Sequence, residues 1–232
     1  MNPKEIIRKA LDEGRVKLLE HEAYDLLKLY DIPVPEAELA KDPLEASDIA
    51  EKIGYPIVLK IVSPDIIHKS DVGGVIVDLN SRESVREGVE KIFRNVKSKA
   101  PNARITGVLV QKMVPQGFEV IVGGLRDSVF GSVVMFGLGG IFVEVLKDVS
   151  FRITPIDHGS ALEMIEEIRA RDLLNGYRNT PPVDKKAIAD IIVKVARLLD
   201  DIEEIESIDL NPIMAFSNKA IVADARIMLK KS

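Results

Sequence analysis

The spacing of apolar positions changes period several times along the chain, and each change marks an element. Ile6, Ile7, Ala10 and Leu11 form one helical stripe over residues 2–13, with Asn2 at the cap, Pro3 at the first helical position and Gly14 just past the end. A second helix is predicted over 20–31, with Ala23, Leu26, Leu27 and Tyr30 on its apolar face; Pro33 and Pro35 prevent its continuation. A short strand is expected at 36–40. Asp42-Pro43-Leu44-Glu45 then combines a cap, an N1 proline and a glutamate at the third helical position, and that helix ends at Gly54. The run Ile57 to Val62, interrupted by Lys60, reads as a strand. A polar loop over 63–74 ends in Gly73-Gly74, followed by a strand from Val75 to Leu79 and a helix over 82–98.

From there the pattern becomes rich in Val and Ile. Runs at 106–114, 118–123 and 128–136, separated by short Gly and Pro breaks, predict antiparallel hairpins. Helices are expected at 157–175 and 184–201, the second capped by Asp184. Strands at 205–210, 213–216 and 219–224 close the order, with a turn at Ser217-Asn218. The fold class is α+β, in two lobes spanning 1–112 and 113–232 that meet near 112–117. A cleft between lobes is a favoured place for a ligand.

Composition narrows the chemistry. Of 232 residues, 46% are hydrophobic and 30% charged, which excludes a disordered chain. No apolar run approaches the ~20 residues that span a bilayer, and the first residues lack the apolar stretch of an export signal, so a cytoplasmic protein with no membrane partner is expected. There is no Cys, which removes disulfides, thiolate catalysis and Cys-held zinc. The net charge, 32 − 37 = −5, and the absence of Trp give no support for nucleic-acid binding. With three His in all, a metal is expected on oxygen ligands.

Several segments carry candidate chemistry. Lys60 lies inside I-V-L-K-I-V, so its ammonium must reach a partner, water or an anionic ligand such as a phosphate. S-P-D-I-I-H-K-S-D-V-G-G-V sets His68 beside Lys69 and ahead of Gly73 and Gly74, whose backbone allows close approach to an anion. His68 reads either as a surface loop histidine or as a covalent phosphoryl acceptor. No P-loop and no G-x-G-x-x-G fingerprint occurs, so any phosphate grip is of another type. Gln111, Lys112, Met113 and Val114 form a peptide edge that can pair with an adenine. Glu119, eight residues after Gln111, can accept ribose hydroxyls, or is an exposed hairpin glutamate. F-G-L-G-G-I-F-V-E, from Phe136 to Glu144, is a second Gly-rich turn. In I-D-L-N-P-I, Asp209 and Asn211 share a strand face, Pro212 breaks the strand, and Asp224 sits on the returning strand, so two carboxylates and an amide oxygen can meet on one hard cation such as Mg²⁺.

Together these motifs resemble the ATP-grasp fold, and most closely the β subunit of ADP-forming acyl-CoA synthetases such as the acetyl-CoA synthetases, relatives of succinyl-CoA synthetase. The resemblance runs from about residue 17 to residue 229 and rests on P-I-V-L-K-I-V-S-P-D-I-I-H-K-S-D-V-G-G-V, Q-G-F-E-V-I-V-G-G, F-G-L-G-G-I-F-V-E and D-L-N-P-I. It implies ATP or ADP with Mg²⁺ as ligands. Lys60 would contact phosphates, Gly73 and Gly74 would lie in a mobile loop above them, Gln111 to Val114 would frame adenine, and Glu119 the ribose. Asn211 and Asp224 would hold Mg²⁺. His68 would be a phosphohistidine that succinyl-CoA synthetase lacks, and Asp209, where those relatives carry Glu, would complete the metal shell or orient a phosphohistidine. The implied reaction is acyl-CoA + ADP + phosphate ⇌ acid + CoA + ATP. A separate CoA-binding α subunit completes the enzyme, in an α2β2 heterotetramer. Two other readings share the nucleotide residues: a stand-alone ATP-grasp carboxylate ligase, which needs no His68, and a non-catalytic nucleotide-sensing module.

Overall fold

A computed structural model describes residues 2–140, 148–176 and 181–230. Helices α1 (Pro3–Asp12) and α2 (Glu20–Leu29) lead into β1 (Ala37–Ala40), α3 (Pro43–Ile53), β2 (Ile57–Val62), β3 (Val75–Leu79), α4 (Arg82–Lys99) and β4 (Gly107–Lys112). Then come β5 (Phe118–Asp127), β6 (Gly131–Leu138), β7 (Val149–Ile153), α5 (His158–Glu167), a 3-10 turn (Arg171–Asn175), α6 (Lys185–Asp201), β8 (Ile205–Ala215), β9 (Ala220–Val222) and β10 (Ala225–Leu229). Among the described residues, no helix is long and apolar enough to cross a membrane.

The caps act as their sequence requires. Asn2 and Glu5 form a reciprocal capping box, Asp42 accepts the amides of Leu44 and Glu45, and Asp184 accepts those of Lys186 and Ala187.

The chain divides into two compact units. One comprises 19–22 and 35–114; the other comprises 1–18, 23–34 and 115–232. The chain passes from one unit to the other near 114. Residues 1–18 and 23–34 group with the C-terminal part. The reason is pairing: Leu18 donates its amide to Ile227, Val222 to Pro33, and the Tyr24 hydroxyl to the Ala223 carbonyl.

In the unit holding 35–114, an antiparallel sheet runs β1-β4-β2-β3. Ile57, Leu59 and Ile61 of β2 pack with Ile49 and Ala50 of α3 and with Val85, Val89 and Ile92 of α4. Each such aliphatic side chain is worth about 1.5–3 kcal/mol when fully buried.

In the other unit the antiparallel sheet runs β10-β8-β5-β6-β7, with β9 on β8. Helix α6 buries Ile188, Ile191, Ile192, Val195, Leu198 and Leu199. A Cβ at Gly124 of β5 would lie 2.5 Å from Leu199, which is why the strand carries glycine there. Arg126, two residues further, donates to the carbonyls of Leu199 and Ile202 and satisfies the last turn of α6.

Three expectations about elements need correction. The helix expected over 157–175 ends at Glu167; Ile168 is extended, because Asp148 accepts the amides of Arg169 and Ala170, each at 2.8 Å. Strand β8 does not break at Pro212. Asn211 and Pro212 together oppose Ile121, between the pairs Val122–Leu210 and Val120–Ile213, so proline's missing N–H falls in a bulge. Asp224 lies between β9 and β10 rather than on a strand. Strands β7 and β10 were not expected. Of the second Gly-rich turn, Ile141 to Glu144 lie outside the described residues.

Candidate functional site

Lys60 is buried and paired. Its residue is 7% exposed, in a strand whose six residues are all buried, and its ammonium donates to Glu20 Oε1 at 2.6 Å. Glu20, in the first turn of α2, is 5% exposed at its side chain, and its Oε2 lies 3.0 Å from the ammonium of Lys69. One buried carboxylate therefore holds two lysines, one on the sheet and one on the loop beside His68. A buried cation demands such a partner, but the chain gives no local sign of which acid supplies it, and Glu20 was missed.

The loop from 63 to 74 is tied at both flanks. Asp65 takes the amide of Arg104 at 2.7 Å and a two-pronged contact from its guanidinium. Asn95 donates to the Gly73 carbonyl at 3.0 Å, and Lys99 to that of Asp71 at 2.9 Å. Arg104, Asn95 and Lys99 were also missed by sequence reasoning. His68 is exposed between these anchors.

The glycine pair plays a different part from the one expected. Gly73 N–H donates to the Ser70 carbonyl and Gly74 N–H to that of Lys69, so both amides are engaged within the loop. Gly73 has φ +64°, and a Cβ on Gly74 would lie 2.3 Å from Ile61 Cγ2. Glycine is needed here for a tight turn against β2.

Gln111 is 2% exposed at the end of β4. The Lys112 ammonium donates to the carbonyls of Gly54 and Tyr55, beyond the end of α3. The amides of Lys112 and Met113 go to Glu36 and Pro56, whereas Val114 N–H has no partner among the described residues. Of the three amides after Gln111, Val114's remains available to a ligand.

In the other unit, cross-strand register collects the acids. Asp209 pairs with Gly123 and Arg226, so it shares with Glu119 the sheet face opposite α6. Glu119 lies against the second Gly-rich turn: its carbonyl accepts from Gly139, and a Cβ on Gly139 would be 2.9 Å from Glu119 Cβ. Asn211 N–H donates to the Asp224 carbonyl at 3.2 Å, and Ala223 N–H to that of Pro212 at 2.9 Å, which brings Asn211 and Asp224 together. The Asp209 carboxyl is raised above its ordinary pKa, mainly by burial; Arg226 works against the shift and the negative charge of Asp224 adds to it. Two acids crowded beside an exposed amide are an arrangement that a cation relieves. Among the described residues no cluster of three or more His, Cys, Asp or Glu is shaped to hold a metal alone, so an ion here would need oxygen from outside the protein, as Mg²⁺ on a nucleotide phosphate has.

Comparison with known proteins gives concordant results. The model of an ATP-grasp domain family matches residues 9–229. A β subunit of an ADP-forming acetate–CoA ligase from Pyrococcus furiosus is 53% identical over 226 residues, 97% of each chain. An ADP-forming acetate–CoA ligase of Archaeoglobus fulgidus is 47% identical over 97% of this chain but 33% of its own length. Structures of an acetyl-coenzyme A synthetase from Candidatus Korarchaeum cryptofilum are also similar. One with coenzyme A and Ca-AMPCP superimposes with a TM-score of 0.97 at 48% identity, covering 99% of this chain and 100% of that one. In another, a phosphorylated phosphohistidine segment is in an orientation termed site I; in a third, with Mg-AMPPCP, that segment points towards the nucleotide-binding site. Their TM-scores are 0.93 and 0.88 at 46% and 44% identity, each covering 99% of this chain and 100% of that one.

Proposed function

The chain belongs to the ATP-grasp domain family, and on that footing we propose that it is the nucleotide-binding β subunit of an ADP-forming acetate–CoA ligase. The observation that carries the reading is the end-to-end likeness to a β subunit of matching length, with His68 present on an anchored loop. The overall reaction is acyl-CoA + ADP + phosphate ⇌ acid + CoA + ATP.

This chain's part is the last transfer. The phosphoryl group on the His68 imidazole passes to a terminal phosphate oxygen of ADP: the P–N bond breaks, a P–O bond forms, and the unprotonated ring takes one proton from solvent to leave as neutral imidazole. Such a transfer depends on positioning and charge neutralisation. Lys60 faces the phosphates with its ammonium, held ready by Glu20. Val114 offers its free amide, beside Gln111, Lys112 and Met113, to the adenine edge. Glu119 accepts the ribose hydroxyls, with Gly139 and Gly140 leaving room beside it. Gly73 and Gly74 shape the loop that carries His68. Asn211 and Asp224 would hold Mg²⁺, and Asp209 would add charge to that site. Mg²⁺, when bound, supplies neutralisation of the phosphate oxygens.

A CoA-binding α subunit is the partner, in an α2β2 heterotetramer. The Archaeoglobus relative, with about two thirds of its length beyond this match, supports a second half of the enzyme. Cytoplasmic localisation follows from the same reading, since the nucleotide and CoA pools are there.

The test is incubation of the purified chain with γ-labelled ATP and Mg²⁺, with and without the α subunit. Acid-labile label on the His68 peptide, discharged by ADP and absent from His68→Ala, is expected. Nucleotide binding with no label, even with the α subunit present, refutes the reading in favour of a stand-alone ligase or a sensor.

A further inference from the structure

We propose that Glu20 is a latch: by gripping Lys69 with the carboxylate that also grips Lys60, it holds the His68 segment at the nucleotide-facing end of its travel. The proposal rests on the reading of His68 as the phosphoryl carrier. Its geometry is independent of that reading.

The two lysines differ in freedom. Lys60 is fixed in the middle of β2, between β3 and β4. Lys69 is on the loop, immediately after His68, and its side chain is 20% exposed. The loop's flanks are tied by Asp65 to Arg104 and by the Gly73 carbonyl to Asn95. The stretch after His68 is tied as well, the Lys69 carbonyl accepting from the Gly74 amide and the Asp71 carbonyl from the Lys99 ammonium. The 3.0 Å contact of Lys69 with Glu20 adds the side-chain tie next to His68, beside the lysine proposed to meet the nucleotide phosphates. The related synthetase has its segment in two orientations. A segment that leaves the nucleotide must take Lys69 away from Glu20, so this ion pair contributes directly to the balance between the two.

The charges also give the latch a direction. A phosphoryl group on His68 places an anion next to Lys69 in sequence. That anion competes with Glu20 for the ammonium and is repelled by the carboxylate, so phosphorylation weakens the grip. Dephosphorylation restores it.

Lys69→Met removes the latch and leaves the Lys60–Glu20 pair in place. Amide hydrogen exchange on the full chain should quicken about tenfold at Gly73 and Gly74, as expected for loss of one partly buried ion pair, with no change in β2. Labelling of His68 from Mg-ATP should slow by about the same factor with the dissociation constant for Mg-ADP unchanged, and Lys69→Arg should restore both. Unchanged loop exchange, a rise matched in β2, or quickened exchange with undiminished labelling would each overturn the latch. A parent chain that takes no label even with the α subunit would instead overturn the phosphohistidine reading, and the exchange result would still report on the ion pair.

Discussion

Glu20→Gln should destabilise its unit more than Lys60→Met, although each removes one end of the same ion pair. The pair lies at 2.6 Å with side chains 8% and 5% exposed, and the second lysine at 3.0 Å. At an effective dielectric of about 20, those separations correspond to about 6 and about 5.5 kcal/mol of attraction, much of it offsetting the loss of hydration. Lys60→Met leaves Glu20 paired with Lys69, and a cost of about 1–2 kcal/mol is expected. Glu20→Gln removes the carboxylate that both ammonium groups share, and the cost rises to about 3–5 kcal/mol, the range for breaking a buried ion pair. Lys60→Met added to Glu20→Gln should recover part of that loss, because it removes one of the two cations that shared the carboxylate. The measurement is native-state amide exchange in Ile57–Val62, which reads this unit without assuming that both units open together. A difference of about 3 kcal/mol is about 150-fold in exchange rate. Equal rates in the two single variants, or faster exchange in Lys60→Met, would refute the argument that one carboxylate neutralises both lysines.

Two further outcomes concern the acidic unit. Asp209 is raised above the usual carboxylate range chiefly by burial, so the folded state holds its proton more tightly and its charge opposes folding. Its contribution to stability falls as pH rises from the ordinary carboxylate range through the raised value. Asp209→Asn should therefore raise the metal-free Tm at pH 7, with the gain vanishing at low pH where both forms are neutral, and Mg²⁺ should stabilise the parent more than the variant; a lower Tm for the variant at pH 7 without metal would contradict this. Gly139→Ala places a methyl 2.9 Å from Glu119 Cβ, an overpacking of about 1–3 kcal/mol that turns the carboxylate aside. Calorimetry should show Mg-ADP binding weakened about tenfold, and an unchanged constant would remove Glu119 from the ribose.

What the sequence made legible was local. Asn2, Asp42 and Asp184 sit where a cap must sit, and their helices begin there. The strand-period run around Lys60 and the D-L-N-P spacing also lie in strands. What escaped was set by residues far apart in the chain. The helix at 157–175 stops early because Asp148 takes two amides 21 and 22 residues away. The strand survives Pro212 because β5 supplies the bulge that accommodates it. The first 18 residues join the C-terminal part through β10, a pairing of opposite chain ends that no local pattern announces. The same distinction holds at the candidate site. His68, Lys60 and Asp209 were visible as residue types out of place in their surroundings, but the 40-residue link from Lys60 to Glu20 was not.

That link bears on the choice among functions. A lysine serving only to bind nucleotide has no need of a carboxylate that also reaches a neighbouring loop, and a stand-alone ligase has no need of a histidine on that loop. Here the exposed imidazole adjoins Lys69, Lys69 shares an acid with Lys60, and the loop's flanks are bound to Arg104 and Asn95. A tied loop with an ionic contact next to its imidazole suits a carrier of phosphoryl groups: enough constraint to present the imidazole in line with a phosphate, and a contact that a new charge can disturb. A purely structural loop would be expected to bury its middle with apolar side chains, yet Ile67, beside His68, is 56% exposed. Ile66 packs into the core and places the start of the segment, and the ion pair at Lys69 adds a polar tie just past His68. The Lys69 pair is largely buried and the Asp65–Arg104 contact exposed, so salt should loosen the Asp65 flank first and leave the Lys69 contact and β2 protected; loosening in the reverse order would refute the assignment.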